Sequence, residues 1–139
     1  MKMKVVLEPC AFMPTRAHEA DAGLDLYSPQ SGAIFRYDTL TIDTGVHIEI
    51  PKNCVGFVKS KSGLMVNCDV VTDGTIDAGY TGSIRVKLFN HGNEVVKIEK
   101  GQKIAQLVIL PIKRPRLKMV AGLKKTERGN GGFGSTGRF

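Results

Sequence analysis

The sequence has no tryptophan, and its aromatic content is only 6%. A core made here rests on Val, Ile, Leu and Ala, and so thin a core is often completed by oligomerisation. Cysteine is scarce and poorly placed for structure. Cys10, Cys54 and Cys68 are odd in number, widely spaced and free of any CxxC, which argues against a disulfide framework and against a structural zinc site. His18, His47 and His91 are equally scattered, with no HxxxH, so a metal cage of protein side chains is not expected. The opening "MKMKVVLEPC" lacks the apolar run of a signal peptide, and no later stretch is apolar for long enough to span a membrane. The expectation is a reduced, cytoplasmic protein without membrane contact.

What is present is 139 residues of 42% hydrophobic content, the size of one domain that buries roughly 65–70% of its unfolded surface. The net charge of +7 is unevenly spread. Residues 1–112 hold 12 basic and 12 acidic side chains, whereas residues 113–139 hold 8 basic side chains against Glu127 alone. A neutral body carries a cationic tail, and such a tail seeks a polyanion: nucleic acid, an acidic surface or a phosphorylated small molecule.

The hydrophobic pattern reads β. "KMKVVLE" (2–8) is a first strand, and "GAIFRYDTLTIDTGVHIEIP" (32–51) alternates most clearly at Val46, Ile48 and Ile50 before Pro51. "CVGFVKS" (54–60) follows, "SIRVKLFN" (83–90) sets Ile84, Val86 and Leu88 against Ser83, Arg85 and Lys87, and "KIAQLVILPI" (103–112) is apolar enough for a buried strand. No window sustains a helical period, although "SGLMVN" (62–67) allows one turn. Many short strands with frequent turns predict an all-β sandwich, barrel or jelly roll. The division expected is a β domain over 1–112 and a C-terminal arm over 113–139 that ends in a glycine-rich segment.

Several constellations could carry chemistry. "RGNGGFGSTG" (128–137) contains a formal GxGxxG at Gly129, Gly131 and Gly134, but a dinucleotide fingerprint needs a following helix that has no room here. Its exposed N–H groups, with Arg128, Ser135 and Thr136, suit phosphate oxygens; the alternative is a frayed end. In "DGTIDAGYTGSI" (73–84), Asp77 sits in a glycine-rich hairpin with Tyr80, as a reactive acid or as a plain turn residue. "KSKSGL" (59–64) offers Lys61, Ser62 and Gly63 to phosphate. Asp25, between Leu24 and Leu26, reads as a partly buried carboxylate in need of partners or a cation. Gln106 interrupts an apolar strand and must be satisfied within the core or by a ligand.

Taken in order, "PTRAHEADAGLDL" (14–26), "SKSGL" (60–64), "GTIDAGYTGSI" (74–84), "GQKIAQLVI" (101–109) and "RGNGGFGSTG" (128–137) resemble the five motifs of the trimeric dUTP diphosphatase (dUTPase) family. The third and fifth are the most specific, and the resemblance spans nearly the whole chain. It implies a distorted jelly roll of the β-clip type with at most one short helix. It implies a homotrimer with active sites shared between subunits, in which the arm of one subunit closes over a site built by others. The implied reaction is Mg²⁺-assisted hydrolysis of dUTP to dUMP and pyrophosphate, which limits uracil in DNA and supplies dUMP for dTMP synthesis.

By position, the resemblance gives Asp77 the role of the carboxylate that orients and deprotonates the attacking water. Tyr80 matches the tyrosine under the deoxyribose that leaves no room for a 2′-hydroxyl. The surrounding hairpin, including Gly74 and Ile76, reads uracil largely through main-chain groups. Lys61, Ser62, Gly63 and Gln106 match the phosphate contacts, and Asp25 matches an aspartate near the metal's water shell. Arg128, Gly134 and Ser135 match contacts of the closing segment, with Phe133 stacked on the base.

The sequence departs from the family pattern in three places. Lys61 stands where the family usually carries arginine, keeping the charge but losing the bidentate fork. The 64–74 segment is short, and Thr72 and Asp73 stand near a position where asparagine is common. Two other readings remain at this stage: a dCTP deaminase, which shares the fold but needs a longer chain and another acid–base set, and a nucleotide-responsive regulatory or interaction protein whose basic arm binds an unidentified partner or nucleic acid.

Overall fold

The computed structural model describes residues 2–137; residues 138 and 139 of the expected arm lie outside the described residues. Among the described residues the chain is nearly all β, with one short helix and no closed barrel. In chain order it forms β1 (Val5–Leu7), β2 (Gly23–Tyr27), β3 (Gly32–Ile34), β4 (Thr39–Asp43), β5 (Val46–Ile48) and β6 (Cys54–Ser60). After α1 (Ser62–Cys68) come β7 (Val70–Val71), β8 (Asp73–Asp77), β9 (Arg85–Asn90), β10 (Val96–Ile98) and β11 (Lys103–Pro111). All pairings are antiparallel: a four-stranded sheet ordered β2-β11-β6-β8, a three-stranded sheet ordered β4-β9-β7, and the pairs β1-β5 and β10-β3.

Alternation explains the placement of β9, where Val86, Leu88 and Asn90 are buried while Arg85 and Lys87 face solvent. β11, flanked by β2 and β6, buries Ile104, Ala105 and Leu107. Together with Leu26, Ile34, Ile42, Ile84 and Ile98 these form one continuous aliphatic core. Each fully buried Ile or Leu contributes about 1.5–3 kcal/mol relative to exposure. Asn90, the largest buried polar side chain, donates to the Ile34 and Glu94 carbonyls and accepts from the Gly92 N–H, so its burial is compensated.

The structure redraws several expected boundaries. The 32–51 run holds β3, β4 and β5, broken at Tyr37 and Gly45, whose φ angles are 59° and 65°. At Gly45 a side chain would also crowd the Ala11 Cβ at 3.0 Å. The first strand shrinks to Val5–Leu7, because no partner runs beside Lys2 and Met3 in the β1–β5 ladder. The single turn at 62–67 extends to seven residues and ends at Asp69, which takes the left-handed conformation at φ 53°. Asp77 is the last residue of a strand, β8, rather than a turn residue between strands. Past Pro111 no further strand forms among the described residues; Ile112 N–H still donates to the Asn53 carbonyl at 2.8 Å and Arg114 to its side chain at 2.6 Å. No helix of the described residues is long and apolar enough to cross a membrane.

Candidate active site

Strand register brings the first group of expected residues together. Gln106 lies opposite Asp25 on β2 and opposite Lys59 on β6. Its amide donates to the Ser60 carbonyl at 3.1 Å. Gly23 lets the side chain of Gln106 lie across the sheet, since a Cβ there would stand 2.5 Å from Oε1. Asp25 is 5% exposed and accepts one ammonium on each oxygen, Lys61 on Oδ1 and Lys103 on Oδ2, both at 2.7 Å. Burial works against its charge, but the hydrogen bonds from Lys103 and Lys61 prevail and hold its carboxyl below the usual carboxylate range. Lys103 is raised in turn, chiefly by its hydrogen bond to Asp25.

Ser62 and Gly63 open α1 immediately after Lys61, where the first N–H groups of a helix lack intrahelical partners. Gly63 faces open space. Thr72 and Asp73 are engaged with β6: the Ser60 hydroxyl donates to the Thr72 carbonyl and accepts from its N–H, both at 2.9 Å, and Asp73 pairs with Lys59. Among the described residues no three His, Cys, Asp or Glu side chains gather as a cation cage. Asp25 has both oxygens occupied by ammonium groups, which fits contact with a metal only through water.

The second group belongs to the hairpin between β8 and β9. Asp77 ends β8 opposite Val55, its carboxylate exposed, and its carbonyl accepts from Tyr80 N–H at 3.0 Å. Gly79, at φ 100°, turns the chain. Tyr80 is 45% exposed, donates its hydroxyl to the Ser83 carbonyl at 3.0 Å and covers Gly82, where a methyl group would collide with its ring. Gly74 packs against Val58 and Ile76 is half-buried. The two groups lie apart. Lys59 pairs with Asp73 at one end of the β6–β8 ladder and Val55 with Asp77 at the other, about 13 Å along a strand at roughly 3.3 Å per residue.

The third group, in residues 128–137, makes its hydrogen bonds within its own segment. Arg128 Nε donates to the Gly131 carbonyl at 3.0 Å, Ser135 N–H to Gly132 at 3.1 Å and Gly137 N–H to Gly134 at 3.0 Å, all within the segment. Phe133 stands fully exposed with φ 50°, next to Gly134 at φ 97°. An aromatic so fully exposed, in a backbone region that non-glycine residues rarely adopt, packs against nothing among the described residues.

The sequence reading missed Lys103. Its signal was available in the requirement that a buried Asp25 find a cation, but 78 residues separate the two and several lysines qualified.

The family model for dUTPase matches residues 10–137. The deoxyuridine 5′-triphosphate nucleotidohydrolase of Clostridium kluyveri is 48% identical over 130 residues, covering 91% of each chain. A Staphylococcus bacteriophage 80alpha dUTPase variant solved with dUpNHpp superposes with a TM-score of 0.93 at 34% identity, over 99% of both chains. A dUTPase variant from phage phi11 of S. aureus, described for the coordination of a structural Mg(II) ion, superposes at 0.82 with 31% identity, over 88% of this chain and 98% of that one. These structures carry the jelly roll that the resemblance implied and the strand pattern allowed.

Proposed function

The chain belongs to the dUTPase family, whose members hydrolyse dUTP, and from that membership we propose how its own residues divide the work. The observation that carries the proposal is the separation within one subunit. The cluster of Asp25, Lys61, Ser62, Gly63 and Gln106 lies at one end of β6, Asp77 and Tyr80 belong to the opposite end, and residues 128–137 hydrogen-bond within their own segment. A homotrimer with sites at its interfaces joins one subunit's cluster to another's hairpin and to the arm of a further subunit. The thin aliphatic core and the fully exposed Phe133 are consistent with surfaces that another copy covers.

In such a site Asp77, exposed at the end of a rigid ladder, orients a water and takes its proton as the oxygen attacks the α-phosphorus. The bond from that phosphorus to the bridging oxygen breaks, and dUMP and pyrophosphate separate. Tyr80 packs under the sugar and excludes a 2′-hydroxyl. The hairpin backbone around Gly74 and Ile76 pairs with uracil; a cytosine would leave its donors mismatched at about 1–3 kcal/mol each. Ser62 and Gly63 present hydroxyl and N–H groups to phosphate, with Lys61 and Gln106 beside them. Mg²⁺, when bound with the triphosphate, neutralises charge and fixes the chain of phosphates for attack. Asp25 stays outside direct ligation, pinned by its two ammonium groups. Arg128, Gly134 and Ser135 close on the terminal phosphate, while Phe133 caps the base.

Co-expression tests the shared site. D77N and Q106A homo-oligomers are each expected to hydrolyse dUTP poorly. Mixed oligomers recover part of the wild-type rate, because some sites draw an intact hairpin from one subunit and an intact Gln106 from another. No recovery in oligomers shown to be mixed rejects the shared site.

A further inference from the structure

His47, on β5, stands outside every motif considered so far, yet it touches the catalytic hairpin. Its Nδ1 lies 2.7 Å from the Thr81 carbonyl oxygen, and its Nε2 lies 2.8 Å from Glu8 Oε1. A carbonyl and a carboxylate only accept. Neutral imidazole has a single N–H and satisfies one of them, leaving a lone pair against the other oxygen; the imidazolium satisfies both.

We propose that His47 is a positioning residue for the Tyr80 hairpin, clasping Thr81 to Glu8 only while both of its ring nitrogens carry protons. The other anchors of this segment do not titrate near neutrality. Ile84 is bound through its backbone to Val46 and Thr44, at 2.9 and 3.1 Å, and Ser83 donates to Asp43, which also takes Gly45 N–H and Arg85. Thr81 is the position next to Tyr80, and the described structure holds its carbonyl by His47 alone. Glu8 is itself seated, with its N–H on the Gly45 carbonyl and its carbonyl on Ala11 N–H.

The charged groups around the ring agree. Glu8 and Asp43 favour the cation, while Lys4 and Glu49, which line the same hollow, are paired with each other at 3.0 Å. The hydrogen bond to Thr81, then that to Glu8, raises the His47 pKa above 6.5 against some loss of solvation. A raised value means that the clasp is complete at lower pH and is lost as pH rises through the folded-state pKa.

The inference rests on the proposed role of the hairpin, so two readouts are paired. The first is NMR of the wild-type protein: the His47 ring should titrate above about 6.5, with Thr81 and Tyr80 amide signals moving on the same curve. The second is kinetics. KM for dUTP should rise about threefold to tenfold through that transition, the size of one lost hydrogen bond, with kcat nearly constant. In H47Q this transition should be absent, and in E8Q it should move to lower pH. A His47 ring that titrates at or below the free value, or hairpin signals indifferent to it, overturns the clasp. A titrating clasp with pH profiles identical in wild type and H47Q overturns the positioning role and points to an error in the reading of the hairpin.

Discussion

Lys61 donates to Asp25 at 2.7 Å across 36 residues of sequence, and so joins the start of α1 to the middle of β2. The lysine delivers one point charge, to Oδ1, and the second Asp25 oxygen takes Lys103 from β11.

Removing this carboxylate should destabilise the fold. Asp25→Asn leaves two ammonium groups facing a neutral amide, at an expected cost of about 1–3 kcal/mol, less than for a fully buried ion pair because both lysine heads reach solvent. Urea unfolding at neutral pH measures it.

The same pair fixes the sign of an acid effect. Because the folded Asp25 has a lowered pKa, its contribution is present above the unfolded value of 3.8 and is lost as pH falls through the folded one. Wild-type stability should therefore drop toward the D25N value in acid. Parallel curves for the two proteins below neutral pH would show that Asp25 makes no such contribution.

Asp77→Asn should lower kcat by about 10²–10⁴, the usual worth of a positioned general base, while affinity for a non-hydrolysable dUTP analogue changes little. Calorimetry with the analogue separates the two effects. Loss of binding would make Asp77 a structural residue of the hairpin.

Gly82→Ala should displace the Tyr80 ring, since the added methyl collides with it. The expected result is a KM for dUTP raised about tenfold, in the range of overpacking costs, together with weaker rejection of UTP. Steady-state assays of both nucleotides check it.

Truncation after Glu127 should reduce kcat/KM by roughly a hundredfold, the scale of lost substrate positioning, without dissociating the oligomer. Light scattering and a dUTP assay on the same sample test both parts. Unchanged turnover would return residues 128–137 to the status of a frayed end.

The strands that alternate or run apolar, β6, β9 and β11, were legible because burial on one face or both writes itself into the pattern. β8 was not. It is an edge strand whose Asp73, Thr75 and Asp77 face solvent and whose inner positions are Gly74 and Ile76, so little apolar surface marks it. β7 and β10 have two and three residues, too few to show a period. The family was readable through its ordered motifs. The ion pairs were not, because Lys103 meets Asp25 and Glu8 meets His47 only once distant segments are folded side by side, which a single sequence does not print.

The irregular stretch that follows Pro111 also has a kinetic meaning. Ile112 and Arg114 are tied to Asn53; residues 115–127 beyond them form no strand or helix, and so many residues reach up to about 45 Å when extended. On the lid reading, residues 128–137 are a ligand on a leash, held near their target at an effective concentration of about millimolar order. Closing is then a first-order event within an assembled oligomer. Its rate should be indifferent to protein concentration and sensitive to the length of the leash, so lengthening 115–127 with glycine and serine would slow capture of the nucleotide without altering a single contact in the closed site.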